Sequence, residues 1–127
     1  MTKDIPSKDR STDLGVVHIN NEAITTIASI AAMEVRGVAR MGSSIGRTIL
    51  EILFARTSQR GVKISTSDGE VKLTVSIIVE YGTAVPRVAD EVQENVKRAV
   101  EKMTGLVLSE VDVVVEGVHL DRDKRTL

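Results

Sequence analysis

The chain has 127 residues, a length that fits one domain, and 42% of them are hydrophobic although it holds one Phe, one Tyr and no Trp. Seventeen basic and 18 acidic side chains leave a formal net charge of −1, so no bulk electrostatic footprint for nucleic acid follows, and rings for base stacking are nearly absent. The lack of cysteine excludes disulfides and thiolate chemistry, and no apolar run approaches the ~20 residues of a membrane helix, so direct membrane insertion is not expected.

Residues 1–13 are polar and lack an apolar core stretch, which predicts a disordered tail and no signal peptide. The sequence "GVVHIN" (15–20) reads as a short strand. Asn20 or Asn21 then caps a helix over about 22–36, with Ile24, Ile27, Ala28, Ile30, Ala31 and Val35 on its apolar face and Gly37 at its stop. Arg36 falls in its last turn.

The clearest signal is "GVKISTSDGEVKLTVSIIVEYG" (61–82), where Asp68-Gly69 is a turn pair between two alternating segments. Pairing Ser67 with Glu70 sets Ile64 opposite Leu73 and Val62 opposite Val75 on one face, with Lys63 opposite Thr74 and Ser65 opposite Lys72 on the other. Past residue 75 the second strand outruns its partner and needs another neighbour, which the first or the last strand would supply. A long helix follows, opened by Pro86, with Val85, Val88, Ala89, Val92, Val96, Ala99, Val100 and Met103 as its stripe and Gly105 as its stop. Glu94 and Arg98 stand in the favourable order for an ion pair. The final strand, 106–118, places Val111, Val113 and Val115 on one face and Asp112 and Glu116 on the other. Residues 119–127 form a second tail, so the expected domain is 14–118.

The expected fold is α+β, in the order β-α-β-β-α-β. It has an antiparallel four-stranded sheet with two helices on one face, ferredoxin-like or KH-like, and an additional short helix before the hairpin.

Residues carrying chemistry are sparse. The loop "GSSIGRT" (42–48) is one residue short of a phosphate-binding loop, has Arg47 where a lysine is needed, and follows "VARM", a poor strand. Gly42 and Gly46 are also one residue too far apart for a KH clamp. His18 and His119, the only histidines, cannot complete a metal site without further ligands. Glu80 and Tyr81 sit at a strand end without an acid–base partner. No catalytic, cofactor-binding or metal residue is expected, and no cofactor.

The segment 43–60 differs. As a helix over about 45–57 it spreads Ile45, Ile49, Leu50, Ile52, Leu53 and Phe54 over roughly 200°, wider than one core-facing stripe needs. These six are the candidate partner surface, against the plainer reading of a third core helix.

The run Val79-Glu80-Tyr81-Gly82, Pro86, Val88-Ala89, Val92 to Lys97, Val100-Glu101 and Met103 to Leu106 resembles the alkaline shock protein family of bacterial envelope-stress proteins. Residues 109–118 resemble its closing strand and 19–41 its opening helix. The resemblance implies a non-enzymatic interaction or scaffold protein, chiefly of Gram-positive bacteria. It would be cytoplasmic and membrane-proximal through a small membrane-anchored protein partner, and would self-associate as a homo-oligomer. The alternative is a small KH-like RNA-binding domain, for which Gly42–Gly46 with Arg40 and Arg47 is the only motif.

Overall fold

The computed structural model describes residues 9–42 and 61–120. Its elements are β1 (Asp9–Thr12), β2 (Gly15–His18), α1 (Asn21–Met33), β3 (Val38–Met41), β4 (Val62–Ser67), β5 (Glu70–Glu80), α2 (Val85–Thr104) and β6 (Leu108–His119).

β5 organises the rest. Its alternate residues Val71, Leu73, Val75, Ile77 and Val79 are buried, as a period of two dictates for a strand with one face covered. Lys72, Thr74, Ser76, Ile78 and Glu80 point to the opposite, open face. Along one edge β6 pairs with β5 over its whole length. Along the other, β4 takes Glu70 to Val75 and β3 takes Ile77 to Val79. Between them the Gly42 N–H donates to the Ser76 carbonyl at 2.8 Å, and the Ser76 N–H donates to the Gly61 carbonyl at 2.7 Å. β3 and β4 are therefore two halves of one edge strand, interrupted at the level of Ser76.

The α+β class, the four strands and the two helices agree with expectation. Along the chain the order β-α-β-β-α-β is recovered when β2, outside the four-stranded sheet, counts as the first strand and β3 and β4 count as one interrupted strand. The hairpin register is the expected one, from Ser67 opposite Glu70 to Val62 opposite Val75. Asp68 (φ 51°) and Gly69 (φ 79°) make the left-handed turn that matches strand twist.

Four details differ. β6 runs parallel to β5, because the 20-residue α2 carries the chain back about 30 Å before β6 begins. β2 lies outside the main sheet and pairs with β1 alone: both edges of β5 are taken, and the short link through Ile19 and Asn20 ties β2 to α1. Residues 9–12, expected within a disordered tail, form β1. "VARM", set aside as a poor strand, is β3, held by pairing with β5 where local propensity is weak.

Both helices cover the buried face. The Asn20 side chain accepts from the Glu22 N–H at 2.8 Å and caps α1, which ends at Met33, so Arg36 lies past its last turn. Ile24, Ala28, Ala31 and Ala32 are its buried face, and Val35 just past its end is buried with them; Ile30, expected there, is exposed. In α2 the stripe Val88, Val92, Val96 and Val100 is inaccessible and continues to Thr104, whereas Met103 is exposed. Gly37 (φ 105°) lets the two helices approach: a Cβ there would stand 2.6 Å from Val88 Cγ2.

Replacing Leu73 by Ala should cost about 2–5 kcal/mol, since it empties the centre of this layer. Ser65→Ala on the open face should stay within about 0.5 kcal/mol. Urea unfolding midpoints of the two variants check the contrast.

Candidate functional site

The six residues expected to form a partner surface, Ile45, Ile49, Leu50, Ile52, Leu53 and Phe54, lie outside the described residues. The frame from which they depart is described. Gly42 and Gly61 stand side by side against Ser76. A Cβ on Gly61 (φ 82°) would meet the Gly42 carbonyl oxygen at 2.8 Å, and one on Gly42 would meet Glu116 Oε1 at 2.5 Å. The residues 43–60 thus leave and re-enter the sheet through adjacent glycines. The Glu116 carboxylate reaches from β6 across Ser76 to this point.

The open face around it is polar. Lys63 and Ser65 of β4, Lys72, Thr74 and Ser76 of β5, and Glu110, Asp112 and Glu116 of β6 share it, with Ile78 and Val114 as apolar exceptions. Lys72 Nζ lies 3.4 Å from both Glu110 Oε1 and Asp112 Oδ2. Hydrogen bonds to those two carboxylates, Glu110 first, hold the Lys72 ammonium above the usual lysine range.

The outer edge of β6 is capped over its first part by α2. Gln93 Nε2 donates to the Val111 carbonyl at 3.0 Å, and Lys97 Nζ to the Leu108 carbonyl at 3.4 Å. Glu101 Oε2 accepts from the Leu108 N–H at 2.8 Å and from Lys97 Nζ at 2.7 Å. The Lys97 ammonium, then the Leu108 amide, hold the Glu101 carboxyl below the usual carboxylate range. Gln93, Lys97 and Glu101 recur every four residues, so one helix face serves one strand edge.

The charges of α2 otherwise behave as a solvated surface. Arg87 pairs with Glu91 at 3.0 Å, and Arg98 donates to Asn95 Oδ1 at 3.0 Å, replacing the expected Glu94–Arg98 pair. Asn95 Nδ2 donates to the Ala31 carbonyl at 2.7 Å and so ties α2 to α1. A groove of about 350 Å³ between the helices is lined by these same engaged groups together with Glu34, Arg36 and Glu94.

The other sequence candidates are only partly brought together. His18 belongs to the β1–β2 hairpin and His119 to the end of β6, in different sheets. His119 stands opposite Glu80, and its carbonyl accepts from the Tyr81 N–H at 2.9 Å, with Tyr81 largely exposed. Among the described residues no cluster of His, Asp or Glu could hold a metal ion. The phosphate-loop reading regains a preceding strand in β3, but its spacing and its missing lysine still stand against it. Sequence reasoning missed the joined glycines at Ser76. The signal was the pair Gly42 and Gly61 flanking an apolar insert between two halves of one alternation.

The sequence profile of the alkaline shock protein 23 family, of cell envelope-related function, matches residues 9–120. The chain belongs to this family. Relatives of this family member include the uncharacterized Bacillus subtilis protein YqhY, 36% identical over 110 residues, which are 87% of this chain and 82% of YqhY. The uncharacterized YloU of the same organism is 34% identical over 111 residues, 86% of this chain and 92% of YloU. Structures of the MamM CTD, one a copper form, superpose with a TM-score of 0.47 at 19% identity, over 77% of this chain and 98% of that chain. Among the described residues of this alkaline shock protein family member, no helix is long and apolar enough to cross a membrane.

Because the folded-state pKa of Glu101 is depressed, its contribution to stability is full above the usual carboxylate range. It is lost as pH falls through the lowered value. Glu101→Gln should therefore cost about 1 kcal/mol at pH 7. Thermal melts taken toward pH 3 should show the gap between native and variant proteins closing.

Proposed function

We propose that this chain is a non-enzymatic interaction protein of the bacterial cell envelope. The α+β block holds the segment 43–60 out to protein partners, one of them a second copy of itself and another a membrane-anchored protein met from the cytoplasmic side. The observation that carries the reading is the exit of this segment between Gly42 and Gly61. At that point the open face of the sheet is mostly polar, with Ile78 and Val114 its apolar exceptions. α1 and α2 fill its buried face, and Lys63, Ser65, Lys72, Thr74, Ser76 and Glu116 occupy the other. Six aliphatic and aromatic side chains, each worth roughly 1.5–3 kcal/mol when covered, call for a cover from elsewhere. The cell envelope-related function of the family supports a partner at the membrane. The RNA-binding alternative gains nothing from the acidic residues Glu110, Asp112 and Glu116 on the open face, which oppose a phosphate backbone.

Ile52→Asp and Phe54→Ser should abolish association measured by light scattering, while each thermal midpoint stays near that of the native protein. Unfolding of both variants would show these residues to be core and defeat the reading.

A further inference from the structure

The hairpin β1–β2 forms a sheet of its own, and every side chain described in it, from Thr12 to His18, is exposed. Leu14 at its tip is 98% exposed, Val16 68% and Val17 56%. An isolated two-stranded hairpin is marginal in water; a third strand or a packed face is what makes such a unit stable. The same chain also contains an edge in need of a strand. α2 caps the outer edge of β6 at Leu108 and Val111. Backbone groups alternate along a strand, so Val113 and Val115 also turn theirs outward, and among the described residues β6 pairs with β5 alone. A register shift at Glu116 ends the regular stretch. Four residues, 112–115, remain regular and uncapped, and β2 has four residues.

From these features we propose that two copies exchange hairpins, β2 of each adding as a strand to residues 112–115 of the other's β6. The hairpin cannot reach its own β6. It is tethered by Ile19, packed against the core, and Asn20, fixed as the cap of α1, and two residues span at most about 7 Å. α1 lies over β3 and β4, on the far side of the sheet. A strand added outside β6 stands about 14 Å from β4. The α1 N-terminus also lies toward the end where β5 begins, since Gly37 at the other end of α1 meets Val88 near the start of α2. Residues 112–115 run beside Thr74 to Ile77, farther up.

The second copy is favoured as occupant through its hairpin and not through its own β6. Pairing two β6 strands about Val114 sets Asp112 opposite Glu116 of the second copy, and pairing them about Val113 sets Glu110 there. Like charges directly opposite are destabilising. Gly15 to Val17 carry no charge. Reciprocal addition closes as a twofold dimer, the ordinary outcome of exchanging an identical element, and strand addition to an exposed edge is a general docking mode.

The inference rests on the self-association proposed above and can be separated from it. The chain has no cysteine, so Val16→Cys and Val114→Cys each create a single thiol. Oxidising an equimolar mixture of the two full-length variants should give a cross-linked dimer in several-fold greater yield than either variant alone. It should also exceed a mixture of Val16→Cys with Val107→Cys, which places the thiol outside the proposed pairing. Dominant Val114→Cys homodimers would mean β6-to-β6 pairing and overturn the exchange, as would equal yields in every mixture. A doubly substituted Val16→Asp, Val17→Asp protein should dimerise at least tenfold more weakly in sedimentation velocity, with an unchanged thermal midpoint. A chain that is monomeric throughout would sink both proposals. An oligomer that Ile52→Asp destroys, but that ignores the hairpin changes and gives no mixed cross-link, would sink the exchange alone.

Discussion

The structure depends on the burial of one strand. β5 has 11 residues, and five alternate side chains, Val71 to Val79, lie in the core while both of its edges are hydrogen-bonded. A strand so placed must have full-length neighbours, because an unpaired buried N–H or C=O costs about as much as a lost hydrogen bond. That requirement explains why β6 spans it completely, and why β3 and β4 close up on the other side despite the residues intervening between them. It also explains the exclusion of β2. Once β5 is saturated, a short strand tethered two residues ahead of α1 has no place beside it.

α2 solves two problems with two of its faces. Its valine stripe seals the core, with Val88, Val92, Val96 and Val100 stacked at intervals of four. A neighbouring row of Gln93, Lys97 and Glu101 attends to the backbone of β6, where an exposed edge would otherwise invite uncontrolled pairing. Thr104 completes the handover: its hydroxyl donates to the Val100 carbonyl at 2.6 Å and accepts from the Leu106 N–H at 3.1 Å, around the left-handed Gly105. The helix thus fixes where β6 starts and in which direction it runs. A regular helix with no reactive side chain is what such a bracing element calls for.

Much of this was legible in the sequence, and the parts that were not share a cause. The Asp68-Gly69 hairpin, the alternation of β5 and the stripe of α2 are local patterns in which periodicity and turn chemistry agree. The direction of β6, the membership of β2 and the strand character of Val38–Met41 are non-local. The first is decided by the return path along α2 and the other two by which edges of β5 remain vacant, and no window of sequence contains that information. Met103 and Ile30 were read inward because their helical phase is right, yet both are exposed, and at the end of α2 it is Thr104 that continues the buried stripe. The apolar excess of 43–60 was visible at once, while the geometry of its attachment needed the fold.

The adjacent glycines at Ser76 have a consequence for how such a protein can change. With Gly42 and Gly61 both bonded to one residue of the central strand, the sheet sets the closure of the chain between them, and doubling the length of a flexible insert there would add only about 0.6 kcal/mol in chain entropy. Insert length and composition can then drift without disturbing the β-ladder on either side. The junction works as a socket: the insert can be rewritten there while the body that carries it stays the same.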